Sequence, residues 1–373
     1  MNNKVGIVTF HKACNYGAVL QTYALQRKLQ EVFNNDDVKV IDYYCPAIED
    51  RTSPFYLVKD GSPIKNLLRF IYLFFPKYKK YRVFSDFRQT YLCETEKKYK
   101  NDNFSSLDNE FNVIFVGSDQ VWNLKSTDND KNYFLNQIGD NTLKCSYAAS
   151  FGFTEIVHDY YDDILPLVKR FDYISLRENI GIEELFSKNG LSAVINVDPT
   201  MLLSSSDWDY LVKNEKRIEN DYILLYCVLK TKKLISFTKQ LSKKTGLPVY
   251  SISNHSDYSD FIQLKSASVE EFISLIKNAK YVITTSFHGT VFSILYHKQF
   301  VTELDTVSYR NTRVENLINI LSLENRSVDS DDFDIDNCID WKIVDSKVKS
   351  NIRNAEEYLY SIKNKIEGAK KGE

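Results

Sequence analysis

The residues best suited to chemistry stand where apolar runs break into short polar turns. In ITTSFHGTVFSIL, from Ile283 to Leu295, an apolar strand-like run gives way to Thr-Thr-Ser-Phe-His-Gly and then becomes apolar again. A helix starting near Gly289 would offer unpaired N–H groups and the positive end of its dipole to a carboxylate or phosphate. His288 beside it could donate to that anion or move a proton near neutral pH. The plainer reading has Ser286 capping the helix and His288 satisfying a backbone carbonyl. Arg177, in ISLREN, follows another apolar run, and its fork suits bidentate recognition of a carboxylate or phosphate. The adjacent Glu178 equally fits a surface pair at a helix start. In VGSDQVWN, Gly117 and Ser118 suit a tight turn, while Asp119, Gln120 and Asn123 are donors and acceptors of the kind that hold sugar hydroxyls. Trp122 reads as a core anchor more readily than as a platform for a sugar ring.

Two further turns carry polar residues. TFHKACNYGAVLQTYAL places Asn15 and Gly17 at a helix start without a G-x-G-x-x-G pattern, so a dinucleotide site is not indicated. Cys14 near His11 would need a third orienting group to act as a nucleophile, and none is identifiable. In NVDPTML, Asp198, Pro199 and Thr200 read as a turn between domains before they read as a site.

These turns need strands and helices to position them. Val5 to Phe10, helical spacing over Gly17 to Val32 and a run at Val38 to Asp42 predict a β-α-β opening. From Pro46 to about Asn101 the pattern is irregular and basic. Strand-like runs resume in FNVIFVGSDQVWN, KCSYAASFG, FDYISLRE and Val194 to Val197, predicting a parallel α/β sheet with an insertion. A second alternation starts at DYILLYCVL, with helices over Lys232 to Lys244 and Val269 to Asn278 and strands at Pro248 to Ile252 and Tyr281 to Thr285. The expected domains are residues 1–205 with an insertion at about 46–105, residues 206–335, and a C-terminal helical segment, 336–373, that could cross back to the first. In open α/β sheets ligands bind beyond the carboxyl ends of the strands, where all of these turns fall.

Composition narrows the classes. The 373 residues suit two domains, and a net charge of -2 with a pI near 6.3 argues against nucleic acid as the main partner. Six scattered cysteines without a C-x-x-C pair suggest free thiols, not a zinc site or a disulfide framework. MNNKVGIVTF lacks the parts of a signal peptide, so a cytoplasmic protein is expected. LLRFIYLFFPKYKKYRVF mixes Leu, Phe and Tyr with Arg69, Lys77, Lys79, Lys80 and Arg82, a composition able to lie on an anionic membrane surface or to pack on its own domain.

Taken together, FHKACNYGAVLQTYAL, VGSDQVWN, SYAASFG, SLRE, VDPTMLL and TTSFHGTVFSIL resemble the polysaccharide pyruvyl transferase family, in order and from about Val5 to Arg326. The resemblance implies a glycosyltransferase-B-like fold, two Rossmann-like domains facing a cleft, with the basic helical insertion in the first. It also implies transfer of pyruvate from phosphoenolpyruvate to a sugar hydroxyl pair as a ketal, in surface or exopolysaccharide biosynthesis. Arg177 matches the family's arginine after a late strand of the first domain, and His288 with Gly289 matches its histidine-glycine pair. His288 is therefore the expected acid/base and Arg177 the expected holder of phosphate or carboxylate. Some members carry an arginine two residues before that histidine, where this chain has Ser286. Arg313 is the candidate substitute, with Arg310 second. Expected donor contacts are Arg177, Ser286, Gly289, Thr290 and Arg313, and expected acceptor contacts are Asn15, Tyr16, Gly17, Asp119, Gln120 and Asn123. No metal or cofactor is expected, because arginine and a helix end can neutralise the leaving phosphate. The acceptor could be lipid-linked, which would give the basic insertion a role at the inner membrane face. A nucleotide-sugar glycosyltransferase and a non-catalytic carbohydrate-binding or assembly module are the alternative readings.

Overall fold

The computed structural model describes residues 3–35, 37–50, 52–56, 62–213, 215, 217–228, 231–252, 259–304 and 312–369. The chain divides into two compact units, Met1–Leu202 with Ile352–Glu373, and Leu203–Asn351.

In the first unit, β1 (Val5–Val8), β2 (Val38–Tyr43), β3 (Glu94–Tyr99), β4 (Val113–Val116) and β5 (Leu143–Ser146) form a parallel sheet in the order β3-β2-β1-β4-β5. This is the doubly wound order in which the first strand lies centrally and the chain reverses direction beside it. VGIV in β1 and VIFV in β4 are buried throughout, as strands covered on both faces must be. Isolated bridges from Cys145 to Tyr173 and from Ala149 to Leu176 carry the pairing on to β6 (Ser175–Leu176) and β7 (Val194–Ile195). Helix α1 (Tyr16–Phe33) packs Leu25, Leu29 and Val32 onto one face of the sheet.

The stretch read from sequence as irregular is not an insertion throughout. It holds a short helix α2 (Pro46–Glu49), a 29-residue helix α3 (Pro63–Tyr91) and the edge strand β3. The next elements are α4 (Thr154–Asp159) and α5 (Tyr161–Val168).

The second unit repeats the design. After α6 (Ser205–Val212) come β8 (Ile223–Tyr226), α7 (Lys232–Thr245), β9 (Val249–Ser251), β10 (Ile262–Gln263), α8 (Val269–Asn278), β11 (Tyr281–Thr284), α9 (Phe287–Leu295), β12 (Gln299–Thr302) and α10 (Thr312–Leu321). The sheet is again fully parallel, in the order β10-β9-β8-β11-β12. Its core joins Ile223 and Leu225 of β8 with Ile283 of β11, Val301 of β12 and Leu234 of α7. Reciprocal boxes at Ser268 with Glu271 and at Ser204 with Asp207 start α8 and α6.

The last helix, α11 (Trp341–Ala369), contributes to both units. In the second, Trp341 stacks on His297 with ring centroids 4.6 Å apart. In the first, Ala355, Leu359, Ile362 and Ile366 join the core that holds Val5 and Ile7 of β1. Tyr358 Oη donates to the Ser146 carbonyl at 2.7 Å, and Lys28 of α1 pairs with Glu356 at 2.5 Å.

Candidate functional site

At the carboxyl ends of β4 and β6 in the first unit, a buried arginine organises the chain. Arg177 Nη1 donates to Asp198 Oδ2 at 2.9 Å, Nη2 lies 3.6 Å from Asp119 Oδ1, and Nε lies 3.7 Å from Glu178 Oε2. Burial, the largest influence, works to lower the guanidinium's pKa, but Asp198, Asp119 and Glu178 outweigh it and hold the pKa above its ordinary value. The carboxylates are themselves anchored. Thr200 donates to Asp198 Oδ1 from its N–H at 3.0 Å and its hydroxyl at 2.7 Å, and Ser150 Oγ donates to Glu178 Oε1 at 2.5 Å. Ser118 completes the floor, its N–H donating to Gln21 Oε1 at 2.9 Å while Gln21 Nε2 donates to Thr9 Oγ1 at 2.9 Å.

Arg177, expected to hold phosphate or carboxylate of the donor, instead faces three carboxylates of its own unit in this structure. Asp198 is part of that cluster and not merely a turn former.

The other acceptor candidates of this unit divide. Asp119 and Gln120 are half-buried at the strand end. Asn123 is fully buried, its amide spent on Gln120 Oε1 at 3.4 Å and on the Ser126 N–H at 3.0 Å, so it shapes the loop. Trp122 is buried, donates to the Tyr133 carbonyl at 3.0 Å and stacks on Phe134, which makes it a core anchor. Asn15 is exposed and caps α1 through the Ala18 N–H at 3.3 Å. Tyr16 packs its buried ring 5.1 Å from that of Phe84, and Gly17 is buried inside the first turn of α1, so neither is open to a sugar. Cys14 is also buried, which raises its thiol pKa and leaves it no activated nucleophile.

In the second unit the strand end of β11 meets α9 as the pattern of apolar and polar residues required. Ser286 caps α9, accepting from the Gly289 N–H at 3.2 Å, and its own N–H donates to Thr284 Oγ1 at 2.9 Å. Thr284 Oγ1 donates to the Tyr226 carbonyl at 2.6 Å. A side chain at Gly289 would run into the Thr284 hydroxyl, so glycine lets the helix start sit directly on the strand end. His288 is buried, its ring set edge-on to Phe287 at 5.1 Å, and the Arg313 guanidinium lies 6.0 Å over that Phe287 ring. Phe287 at the helix start thus has an imidazole at one edge and the α10 guanidinium over its ring. Two of the expected donor contacts are spent: the Gly289 N–H on Ser286, and the buried Thr290 hydroxyl on the Ser286 carbonyl at 3.1 Å. Arg310 lies outside the described residues.

A second buried polar cluster in the first unit was not foreseen. His11, after β1, donates from Nδ1 to the Thr9 carbonyl at 3.2 Å and lies 4.0 Å from Glu94, while Arg88 of α3 lies 3.7 Å from the same carboxylate. Lys12 pairs with Asp42 of β2. Burial first, then the charges of Lys12 and Arg88, push the His11 pKa down to about 3 against the Thr9 carbonyl and Asp42. Burial pushes Glu49 up to about 7. The only sequence signal was the His11-Cys14 spacing, because Glu49, Arg88 and Glu94 lie in the stretch read as irregular. A polar cavity of about 620 Å³ in this unit is bordered by Tyr43, Tyr44, Asn101, Asp128 and Asp130 among others. Among the described residues no group of His, Cys, Asp and Glu is arranged to hold a metal ion.

Two consequences are measurable. Asp198→Ala leaves a buried guanidinium short of its closest partner and strands the Thr200 donors, so urea unfolding should show a loss of about 3 kcal/mol, toward the low end for a broken buried pair because Asp119 and Glu178 remain. For His11, the folded pKa of about 3 lies below the unfolded value of 6.5, so between them the unfolded chain binds the extra proton. Its contribution to stability is complete above the unfolded value and is lost as pH falls through this window, by up to roughly 1 kcal/mol per pH unit. Glu49 acts in the opposite sense, its raised pKa costing stability as pH climbs from 4.5 to about 7. Thermal midpoints of wild type and His11→Gln compared across pH 4 to 6.5 isolate the histidine, and the variant should show the flatter acid limb.

The geometry agrees with comparisons to known proteins. A UDP-N-acetylglucosamine 2-epimerase assigned in Listeria monocytogenes superposes with a TM-score of 0.51 at 7% identity, covering 96% of this chain and 91% of that one. A UDP-GlcNAc 2-epimerase from Methanocaldococcus jannaschii gives a TM-score of 0.48 at 12% identity over 93% and 92% of the two chains. An O-GlcNAc transferase from Thermobaculum terrenum gives 0.46 at 10% identity, over 99% of this chain and 66% of that one. The first of these bears on the fold alone, which agrees with two Rossmann-like units, each built on a parallel sheet. No curated protein matches the chain. The family model for polysaccharide pyruvyl transferase matches residues 15–302, well over half of the chain, a span that includes Asp119, Arg177, Asp198 and His288 but not Arg313. The chain belongs to the polysaccharide pyruvyl transferase family.

Proposed function

We propose that this protein transfers the pyruvyl group of phosphoenolpyruvate onto a pair of sugar hydroxyls, forming a pyruvate ketal. The observation that carries the reading is the start of α9, where His288 and the Arg313 guanidinium flank Phe287 at a positive helix end. Phosphoenolpyruvate brings a carboxylate and a phosphate, and a guanidinium with a helix end supplies complementary charge for them.

The reaction needs a proton on the methylene carbon and an electrophilic C2. His288 delivers that proton, turning the methylene into a methyl group. One sugar oxygen bonds to C2 as its hydroxyl proton is taken up, and the C2–phosphate oxygen bond then breaks with its electron pair leaving on phosphate. The second sugar oxygen bonds to C2, losing its proton and closing the ketal. Arg313 balances the charge of the leaving phosphate. Having given up its proton, His288 takes up that of the attacking hydroxyl, and Asp119 and Gln120, half-buried in the first unit, are assigned to hydrogen-bond sugar hydroxyls. Arg177 acts through Asp119 and Asp198, and not on the donor.

Titration calorimetry with phosphoenolpyruvate tests the assignment. Wild type should bind, Arg313→Ala should bind about tenfold or more weakly, and His288→Ala should retain binding while turnover falls by roughly 100-fold or more. Wild type that ignores phosphoenolpyruvate in the presence of acceptor sugars, yet binds a nucleotide sugar, would overturn the reading in favour of a glycosyltransferase.

A further inference from the structure

Among the described residues, helix α3 buries side chains only toward its carboxyl end, and Phe55 packs on Phe74, Tyr78 and Tyr81 near its middle. Its last turns bury Phe84 and Phe87, and the rings of Tyr16 and Tyr23 pack on them. From residue 62 to residue 83 none of the described side chains is buried. Ile64, Leu67, Leu68, Ile71, Tyr72 and Phe75 are exposed by 71%, 53%, 62%, 56%, 80% and 75%. At about 100° per residue they fall within an arc of about 140°, one continuous apolar face several turns long. A face of this extent on a chain in water marks a surface that something covers.

The charges say what covers it. From Ser62 to Phe84 the sequence has six Lys or Arg residues and no Asp or Glu, in a chain whose net charge is -2. Arg69, Lys79, Lys80 and Arg82 are exposed along this segment. Two copies of such a helix laid face to face would set like charges together, which disfavours self-association through it. Apolar and aromatic side chains on one side with basic residues around them match the interface of an anionic bilayer, where the stripe enters the acyl boundary and the cations meet headgroups. Among the described residues no helix is long and apolar enough to cross a membrane, so α3 would lie in the surface plane.

We propose that the amino-terminal half of α3 docks the protein onto an anionic lipid bilayer. Flotation with vesicles of phosphatidylcholine alone and of phosphatidylcholine with phosphatidylserine, at low and high salt, tests this with three forms of the full chain: wild type, Ile71→Glu with Phe75→Glu, and Arg69→Glu with Lys79→Glu. All of these side chains are exposed, so the variants should keep the wild-type circular dichroism and thermal midpoint. Wild type should float with the serine-containing vesicles and not with the neutral ones. High salt and each double variant should cut the bound fraction about tenfold or more. Wild type that stays unbound at low salt overturns the proposal, as does binding that ignores lipid charge and salt. Sedimentation velocity showing a dimer that Ile71→Glu with Phe75→Glu dissolves, without vesicle binding, would assign the face to a second copy instead.

Discussion

The first unit is organised around a single buried guanidinium. Arg177 stands just beyond β6 and gathers Asp119 from the end of β4, Glu178 from its own strand end and Asp198 from the segment after β7. Each carboxylate would be expensive to bury alone, and each faces the same cation, with Glu178 also held by the Ser150 hydroxyl, Asp198 by Thr200 and Asp119 by the Gln120 N–H. Three separate strand ends are thereby fixed relative to one another. Three carboxylates thus stand around one guanidinium, and the local charge of the cluster is formally negative. The second unit has the opposite character, with the positive end of α9, His288 and Arg313 together. The polar strand ends of the two units therefore differ in charge.

Much of this was legible in the sequence because parallel strands covered on both faces must be continuous apolar runs. VGIV, VIFV, ILLY and YVIT all announced themselves that way, and the polar residues that follow them fell at strand ends. The edges were harder to read. In β3 the sequence ETEKKY pairs on one side only and turns most of its side chains to solvent, so it carries no apolar signature, and β10 is a two-residue strand. Helix α3 defeated the pattern for a different reason: none of the described side chains of its first half is buried, so its apolar residues look like an irregular insertion.

The site shows the same division. The Ser286 cap and the Gly289 approach follow from local spacing, and the structure bears out that local geometry. What local spacing could not supply was the set of partners from distant segments. Arg177 looked free in ISLREN because Asp119 and Asp198 are 58 positions before it and 21 after it. Asn123 and Thr290 looked available because their own loop and helix, which consume their polar atoms, are invisible in a string of letters. The cluster of His11, Arg88 and Glu94 draws on three elements, two of them in the segment without a readable pattern.

The central claim is that these residues place a pyruvyl ketal on a sugar. NMR of the surface polysaccharide from cells producing wild type or His288→Ala tests it without needing the acceptor to be known in advance. The account predicts a ketal methyl signal, correlated to a quaternary carbon bearing two oxygens, in the wild-type polysaccharide and its loss in the variant. Identical polysaccharides from the two strains, with both proteins folded and present in equal amount, would contradict it.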